Sequence, residues 1–199
     1  MVENYLFKDR DGQTPLPQEL QKDLIPDHVQ TIGELDEYEE DNITQGLTWL
    51  DKFKGDHLSV SFWLSLHKNL FGKVWKWAGA VRKHELHNPY FHEPHKIWEG
   101  LRLLEQDLRY WLKEKSFPPR ELSARFHERL QTIHPFANGN GRWGRILTEY
   151  LCQMERFETP TWGAEMKASP KMRRDAYIKA IELARRKNDH SALRDFMFS

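Results

Sequence analysis

Apolar residues recur along most of this chain at helical spacing. Leu35, Tyr38, Ile43, Leu47 and Leu50 lie close to a 3.6-residue period from Glu34 onward. Val60, Trp63, Leu64, His67, Leu70 and Phe71 follow the i, i+3, i+4, i+7 template. A third stripe is Ile97, Leu101, Leu104, Leu108 and Trp111, and after Pro118 and Pro119 a fourth is Leu122, Phe126, Leu130 and Ile133. Ile146, Leu147, Tyr150, Leu151 and Met154 predict a fifth helix. Ser169 followed by Pro170 reads as an N-cap and first-turn pair, opening a helix through Tyr177, Ile181 and Ala184. Asp189 can cap a last short helix ending at Phe196. The fold class is therefore all-α, a helical bundle.

Two regions break the period. Residues 1–33, with Gly12, Pro15, Pro17 and Pro26, read as an N-terminal arm laid over a helical domain of residues 34–199. Residues 73–95 contain an Asn-Pro pair and several aromatics, and read as an irregular loop or short hairpin.

Composition removes several function classes. Lys plus Arg and Asp plus Glu balance at 30 each, so no global field recruits nucleic acid or an anionic membrane, and direct nucleic-acid binding is not expected. No stretch approaches the ~20 apolar residues of a membrane span, and the first residues have no signal-peptide run. One cysteine, Cys152, excludes a disulfide framework and a thiolate metal site; its apolar surroundings predict a buried hydrophobe and a cytoplasmic chain.

The chemistry concentrates in residues 134–145, HPFANGNGRWGR, between the fourth and fifth helices. Unpaired backbone amides and the positive end of the dipole meet at a helix start, and glycine lets the backbone close around an anion. Gly139, Asn140 and Gly141 thus read as a phosphate cradle, and Arg142 and Arg145, at i, i+3, can turn both guanidinium forks to one side. His134 precedes Pro135 and so sits at the loop entrance, where it can serve as general base for an attacking hydroxyl. Phe136 is expected to face the core and anchor the loop. Together these residues point to phosphoryl or nucleotidyl transfer; the plain alternative is a glycine-rich interhelical loop.

The stretch resembles the signature of the Fic (Fido) family, HPFx[D/E]GNGRxxR. LFGKVWKWAGAVR at residues 70–82 and RFHERLQTIHPF are similar to the flanking family segments, and TPLPQELQKDLIPDHVQTIGELDEYEEDNI resembles the start of the subfamily called mobile mystery protein B. The resemblance implies a Fic-type helical bundle with a short hairpin-like flap, and transfer of AMP from ATP to a Ser, Thr or Tyr hydroxyl of a target protein. His134 would be the base; Gly139, Asn140 and Gly141 would hold the α and β phosphates; Arg142 would bind the phosphates and Arg145 the γ phosphate. Arg82, Lys83, His84, Glu85 and Leu86 would belong to the flap that receives the target as an extended strand.

Asn138 departs from the pattern, because an acidic residue usually holds the magnesium ion there. A neutral amide oxygen is a weaker ligand for a hard cation, which implies a slow or redirected transferase rather than an inactive scaffold. Related phosphate-group transfer, AMP removal, or a non-catalytic module for nucleotide or partner binding, acting with a helix-turn-helix regulator, are the alternatives. Many Fic proteins carry an inhibitory [S/T]xxxE[G/N] helix; here Leu35 lies four residues after Thr31, so that pattern is absent. Glu39 or Glu40 in ELDEYEEDN is a candidate to reach Arg145 instead, against a solvated acidic face.

His84, His87, His92 and His95, with Glu85 and Glu93, form a competing cluster for zinc, but lack helical i, i+4 spacing and fall in the flap. His127, seven residues before His134, reads as a packed, hydrogen-bonded histidine. Trp63, Trp75, Trp77, Trp111 and Trp143 read as core and interface anchors rather than a base-stacking platform.

Overall fold

The computed structural model describes residues 22–86 and 88–199. All seven predicted helices are present: α1 (Ile32–Leu50), α2 (Val60–Phe71), α3 (Ile97–Glu114), α4 (Pro119–Ile133), α5 (Asn140–Met154), α6 (Pro170–Lys187) and α7 (Ser191–Met197). Among the described residues there is no β-strand; Leu24 and Trp75 form an isolated antiparallel bridge.

Several boundaries have visible causes. Thr31 and Glu34 close a reciprocal capping box, which starts α1 at Ile32 rather than at Glu34. Ser169 accepts from the Met172 amide and Pro170 occupies the first turn of α6. Asp189 accepts from the Ser191 amide at 3.0 Å, one residue before the formal cap of α7. Helix α5 begins at Asn140, six residues before the apolar stripe that announces it, because its first turn is Asn-Gly-Arg and carries no apolar signal. Two stripe positions face solvent, Tyr38 and Met154.

Helix α4 is the hub, packing on α3, α5, α6 and α7, while α1 lies on α2 and α2 on α5. The larger core gathers Trp63, Leu66, Leu70, Leu101, Leu104, Phe126, Leu130, Trp143 and Leu147; a smaller one joins Trp162, Tyr177, Ile181, Leu193 and Phe196 beside Ala124 of α4. Cys152 is buried with them. Trp63, Trp75 and Trp143 are fully buried and Trp77 and Trp111 partly so, as anchors rather than a platform.

The described end of the arm, residues 22–31, buries Leu24 and Val29 in the larger core. It runs beside residues 74–76, with the Ile25 amide donating to Val74 and the Lys76 amide to Asp23. The rest of the arm lies outside the described residues.

Gly46 sits where α1 crosses α2; a Cβ there would lie 2.9 Å from the Asn69 carbonyl oxygen and from Leu70 Cα. Alanine normally favours a helix over glycine by ~1 kcal/mol, but overlap with backbone costs ~1–3 kcal/mol. Gly46→Ala is therefore expected to lower stability by roughly 1–2 kcal/mol, read as a fall in the urea unfolding midpoint.

Candidate active site

The site is built where α4 stops and α5 starts. Helix α4 ends because Pro135 follows, and His134 takes a left-handed conformation at φ 47° while its amide still bonds the Leu130 carbonyl. Phe136 is fully buried; its ring stacks on His67 at 3.5 Å and meets Trp143 edge-on at 4.9 Å. Asn140 is buried too, and its side chain grips Phe136 twice, accepting from the amide at 2.9 Å and donating to the carbonyl at 2.8 Å. Asn140 therefore shapes the loop with its side chain, and only its backbone amide remains for an anion. Gly139 adopts φ 79°, and a Cβ there would lie 2.9 Å from Phe71 and 3.1 Å from His67. Both conformation and space require glycine.

His67 was legible only as a core position of α2, yet it ties the site together. The Gly79 amide donates to its Nδ1 at 2.9 Å, so its Nε2 carries the proton and donates to the Asn138 carbonyl at 3.1 Å. Burial pushes its pKa down to about 3. His127 is buried as expected, bonded to the Tyr177 hydroxyl at 2.7 Å and Thr148 at 3.1 Å, and burial likewise pushes it down to about 3.

His134 is only partly exposed. Its Nδ1 lies 3.3 Å from the Gln131 carbonyl, which can only accept, so Nδ1 carries the proton and Nε2 keeps the lone pair. Burial first, with the charges of Arg82 and Arg185 adding to it, pushes the imidazole pKa down to about 4. At neutral pH the ring is uncharged, the state a general base requires.

The arginines do not present a common fork. Arg142 forms an ion pair with buried Glu39 at 2.5 Å and lies over the Phe71 ring. Arg145 is buried with its guanidinium 5.8 Å from the Tyr177 ring centre, and it reaches back so that Nη1 is 3.6 Å from the Cβ position of Gly141. Of the two carboxylates expected from α1, Glu39 pairs with Arg142 and not with Arg145. The register of α1 explains this, because Glu39 also accepts from the Trp75 indole at 2.7 Å and is held on that side. Glu40 is half-buried on the same helix.

In their described part residues 73–95 are a turn-rich irregular loop, the first of the two expected alternatives, with no hairpin of their own, and they end in a 3-10 turn at Pro94–Lys96. Arg82 is not a surface flap residue. It is buried and ties the loop together: Nε donates to the His134 carbonyl at 2.8 Å, and the two Nη groups donate to the His84 and His92 carbonyls. Lys83, His84 and Glu85 are exposed and Leu86 is half-buried. Phe91 stacks on the His134 ring at 3.7 Å with the planes 11° apart. Neither Phe91 nor Arg185, which backs it, was marked by any spacing rule; an aromatic inside an irregular loop was the only signal. Among the described residues no group of three or more histidine, cysteine or carboxylate side chains is placed to hold a metal, and His87 lies outside them.

Residues 57–152 match the family described as Fic/DOC family. The likeness to that family covers just under half of the chain. The chain is 31% identical over 110 residues to the protein adenylyltransferase VbhT of Bartonella schoenbuchensis, covering 53% of this chain and 21% of that protein. It is 29% identical over 108 residues to the protein adenylyltransferase fic-1 of Caenorhabditis elegans, covering 51% and 20%. The chain thus spans about a fifth of the length of these curated relatives. The fold matches the crystal structure of the BepC protein of Bartonella tribocorum with bound AMPPNP at a TM-score of 0.69 and 20% identity, over 98% of this chain and 94% of that one. No helix of the described residues is long and apolar enough to cross a membrane.

The magnesium ion implied for a Fic site does not fit the residues present. Asn138 Oδ1 accepts from the Gly139 amide at 2.6 Å and the Asn138 carbonyl is taken by His67. What remains to a cation is neutral oxygen already hydrogen-bonded, where a hard ion favours carboxylates.

Three imidazoles withdrawn from water, two of them fully buried, give the protein an acid sensitivity of definite sign. In the folded state His67, His127 and His134 resist protonation, whereas in the unfolded chain they take a proton near the ordinary 6.5. Their stabilising contribution is complete above ~6.5 and declines as pH falls toward 4 and 3, by up to ~1.4 kcal/mol per pH unit for each ring. Urea midpoints are expected to drop steeply between pH 7 and pH 5; equal midpoints at the two pH values would contradict the assignment.

Proposed function

We propose that this chain is a protein adenylyltransferase, moving AMP from ATP to a Ser, Thr or Tyr hydroxyl of a target protein. The observation that carries the reading is the His134 imidazole. It is neutral at physiological pH, its Nδ1 is taken by Gln131 and its Nε2 is left as the base, in the loop that leads into the α5 amide cradle. Nε2 takes the hydroxyl proton, the hydroxyl oxygen bonds to the α phosphorus, and the bond from that phosphorus to its bridging oxygen breaks, releasing pyrophosphate. The amides of Asn140 and Gly141, aided by the α5 dipole, hold the α and β phosphates, and that of Gly139 joins them once it is released from Asn138 Oδ1. Arg142 supplies the charge that neutralises them, and Arg145 acts from beneath the first turn of α5 as a fixed positive group on the γ-phosphate side. Lys83, His84, Glu85 and Leu86 offer the exposed edge on which the target segment is laid. The names of the relatives and the AMPPNP of the BepC structure support this choice of nucleotide.

The Glu39–Arg142 pair makes the described state a resting one, because a phosphate must compete with a buried carboxylate for that guanidinium. In the test, the purified chain is incubated with α-labelled ATP and candidate target proteins. His134→Ala is expected to reduce label transfer by ~10²-fold or more; equal transfer by both proteins would remove the catalytic role. Glu39→Gln keeps an acceptor for the Trp75 indole while removing the charge, and is expected to raise transfer several-fold. A variant that folds and transfers no faster than the parent would show that the ion pair does not restrain the site.

A further inference from the structure

Helix α6 lies outside the matched family segment, yet two of its arginines close on the loop that covers His134. Arg185 is mostly buried. Its Nε donates to Thr132 Oγ1 at 2.7 Å and lies 3.7 Å from Glu128, and its guanidinium carbon sits 5.5 Å from the centre of the Phe91 ring. Phe91 in turn lies flat on the His134 imidazole. The order is guanidinium, phenyl, imidazole. Arg186 fixes the adjoining residue, donating to the Tyr90 hydroxyl at 2.7 Å, and the His92 amide donates to the Thr132 carbonyl at 3.1 Å. The loop segment carrying Phe91 is therefore held on both sides by α4 and α6.

We propose that Arg185, acting through Phe91, is a positioning residue for His134, clamping the imidazole in a single stacked orientation with its Nε2 edge available. The inference rests on the transferase reading, since it assigns a part in proton removal. The guanidinium favours the ring face of Phe91 by cation–π attraction, and the phenyl ring favours a parallel imidazole by stacking. Neither contact needs His134 to be charged, and a second positive charge in the stack opposes its protonation. The charged groups facing His134 are Arg82 from the loop and Arg185 from α6, both acting in that sense. Glu128 tempers Arg185 and is itself shared with Thr132, at 2.5 Å, and with His190, at 3.7 Å. Removing the Arg185 guanidinium takes away one opposing charge and leaves Glu128 less balanced; both changes make His134 easier to protonate.

The test titrates the His134 ring by NMR in the full chain and follows the acid limb of the labelling rate, in wild type, Arg185→Met, Arg185→Lys and Phe91→Leu. Arg185→Met is expected to raise the His134 pKa by about one unit, a tenfold change in the protonated-to-neutral ratio, and to move the acid limb up with it. Phe91→Leu, which leaves the Arg185–Glu128 contact in place and serves if Arg185→Met fails to fold, is expected to raise the pKa as well by opening the ring to water. Arg185→Lys keeps the charge and is expected to stay close to wild type. A His134 pKa unchanged in folded Arg185→Met and in Phe91→Leu would overturn the proposal. If wild type transfers no label, the transferase reading fails by itself, while the NMR titration still decides whether Arg185 governs the His134 ring.

Discussion

His67 must bridge two loops that have no regular structure of their own. Its ring accepts one proton from Gly79 and donates the other to the Asn138 carbonyl, and Phe136 lies flat against it. A neutral imidazole is suited to this place, because one ring nitrogen is a donor and the other an acceptor. An apolar residue of similar size would fill the space and leave an amide and a carbonyl unpaired inside the protein, each costing ~1–3 kcal/mol. The backbone of the motif therefore depends on a residue outside it, 71 positions away from Asn138. Asn140 completes the same task from within by closing both polar groups of Phe136.

With the backbone fixed in this way, the charges follow a common logic. Arg142, Arg145 and Arg82 are all removed from water in some degree, and each has been given a partner of a different kind: a carboxylate, a tyrosine, and three carbonyl oxygens. Because water screens these groups poorly, small rearrangements change their interaction energies more than they would on the surface. Burial is what chiefly keeps the imidazoles neutral, and nearby positive charge adds to it: Arg142 at His67, Arg145 at His127, and Arg82 with Arg185 at His134.

The helices were legible because their apolar stripes are long and regular, and the site was legible because HPFANGNGRWGR is dense in residues that serve no core. The misses have separate physical reasons. Helix α5 starts in Asn-Gly-Arg, where the stripe has not begun, and α1 starts at a capping box, Thr31 to Glu34, that periodicity does not see. Of the two readings of residues 73–95 the irregular loop holds rather than the hairpin, because the segment is tied by the Arg82 side chain and by α4 and α6. The partner of Glu39 was misjudged because side-chain direction depends on the Trp75 indole, which lies 36 residues further along the chain. Long-range side-chain choices of this kind leave no local pattern to read.

Residues 22–31 reach the site by a short mechanical path. They run against residues 74–76, Trp75 holds Glu39, and Glu39 holds Arg142. A molecule that displaced the arm from residues 74–76 and an anion that drew Arg142 away would act on one and the same chain of contacts. Thermodynamic linkage makes any such influence mutual: whatever factor arm displacement contributes to anion affinity, the anion returns to arm displacement. The arm and the cradle are in that sense two ends of a single lever, with the Trp75 indole as its pivot.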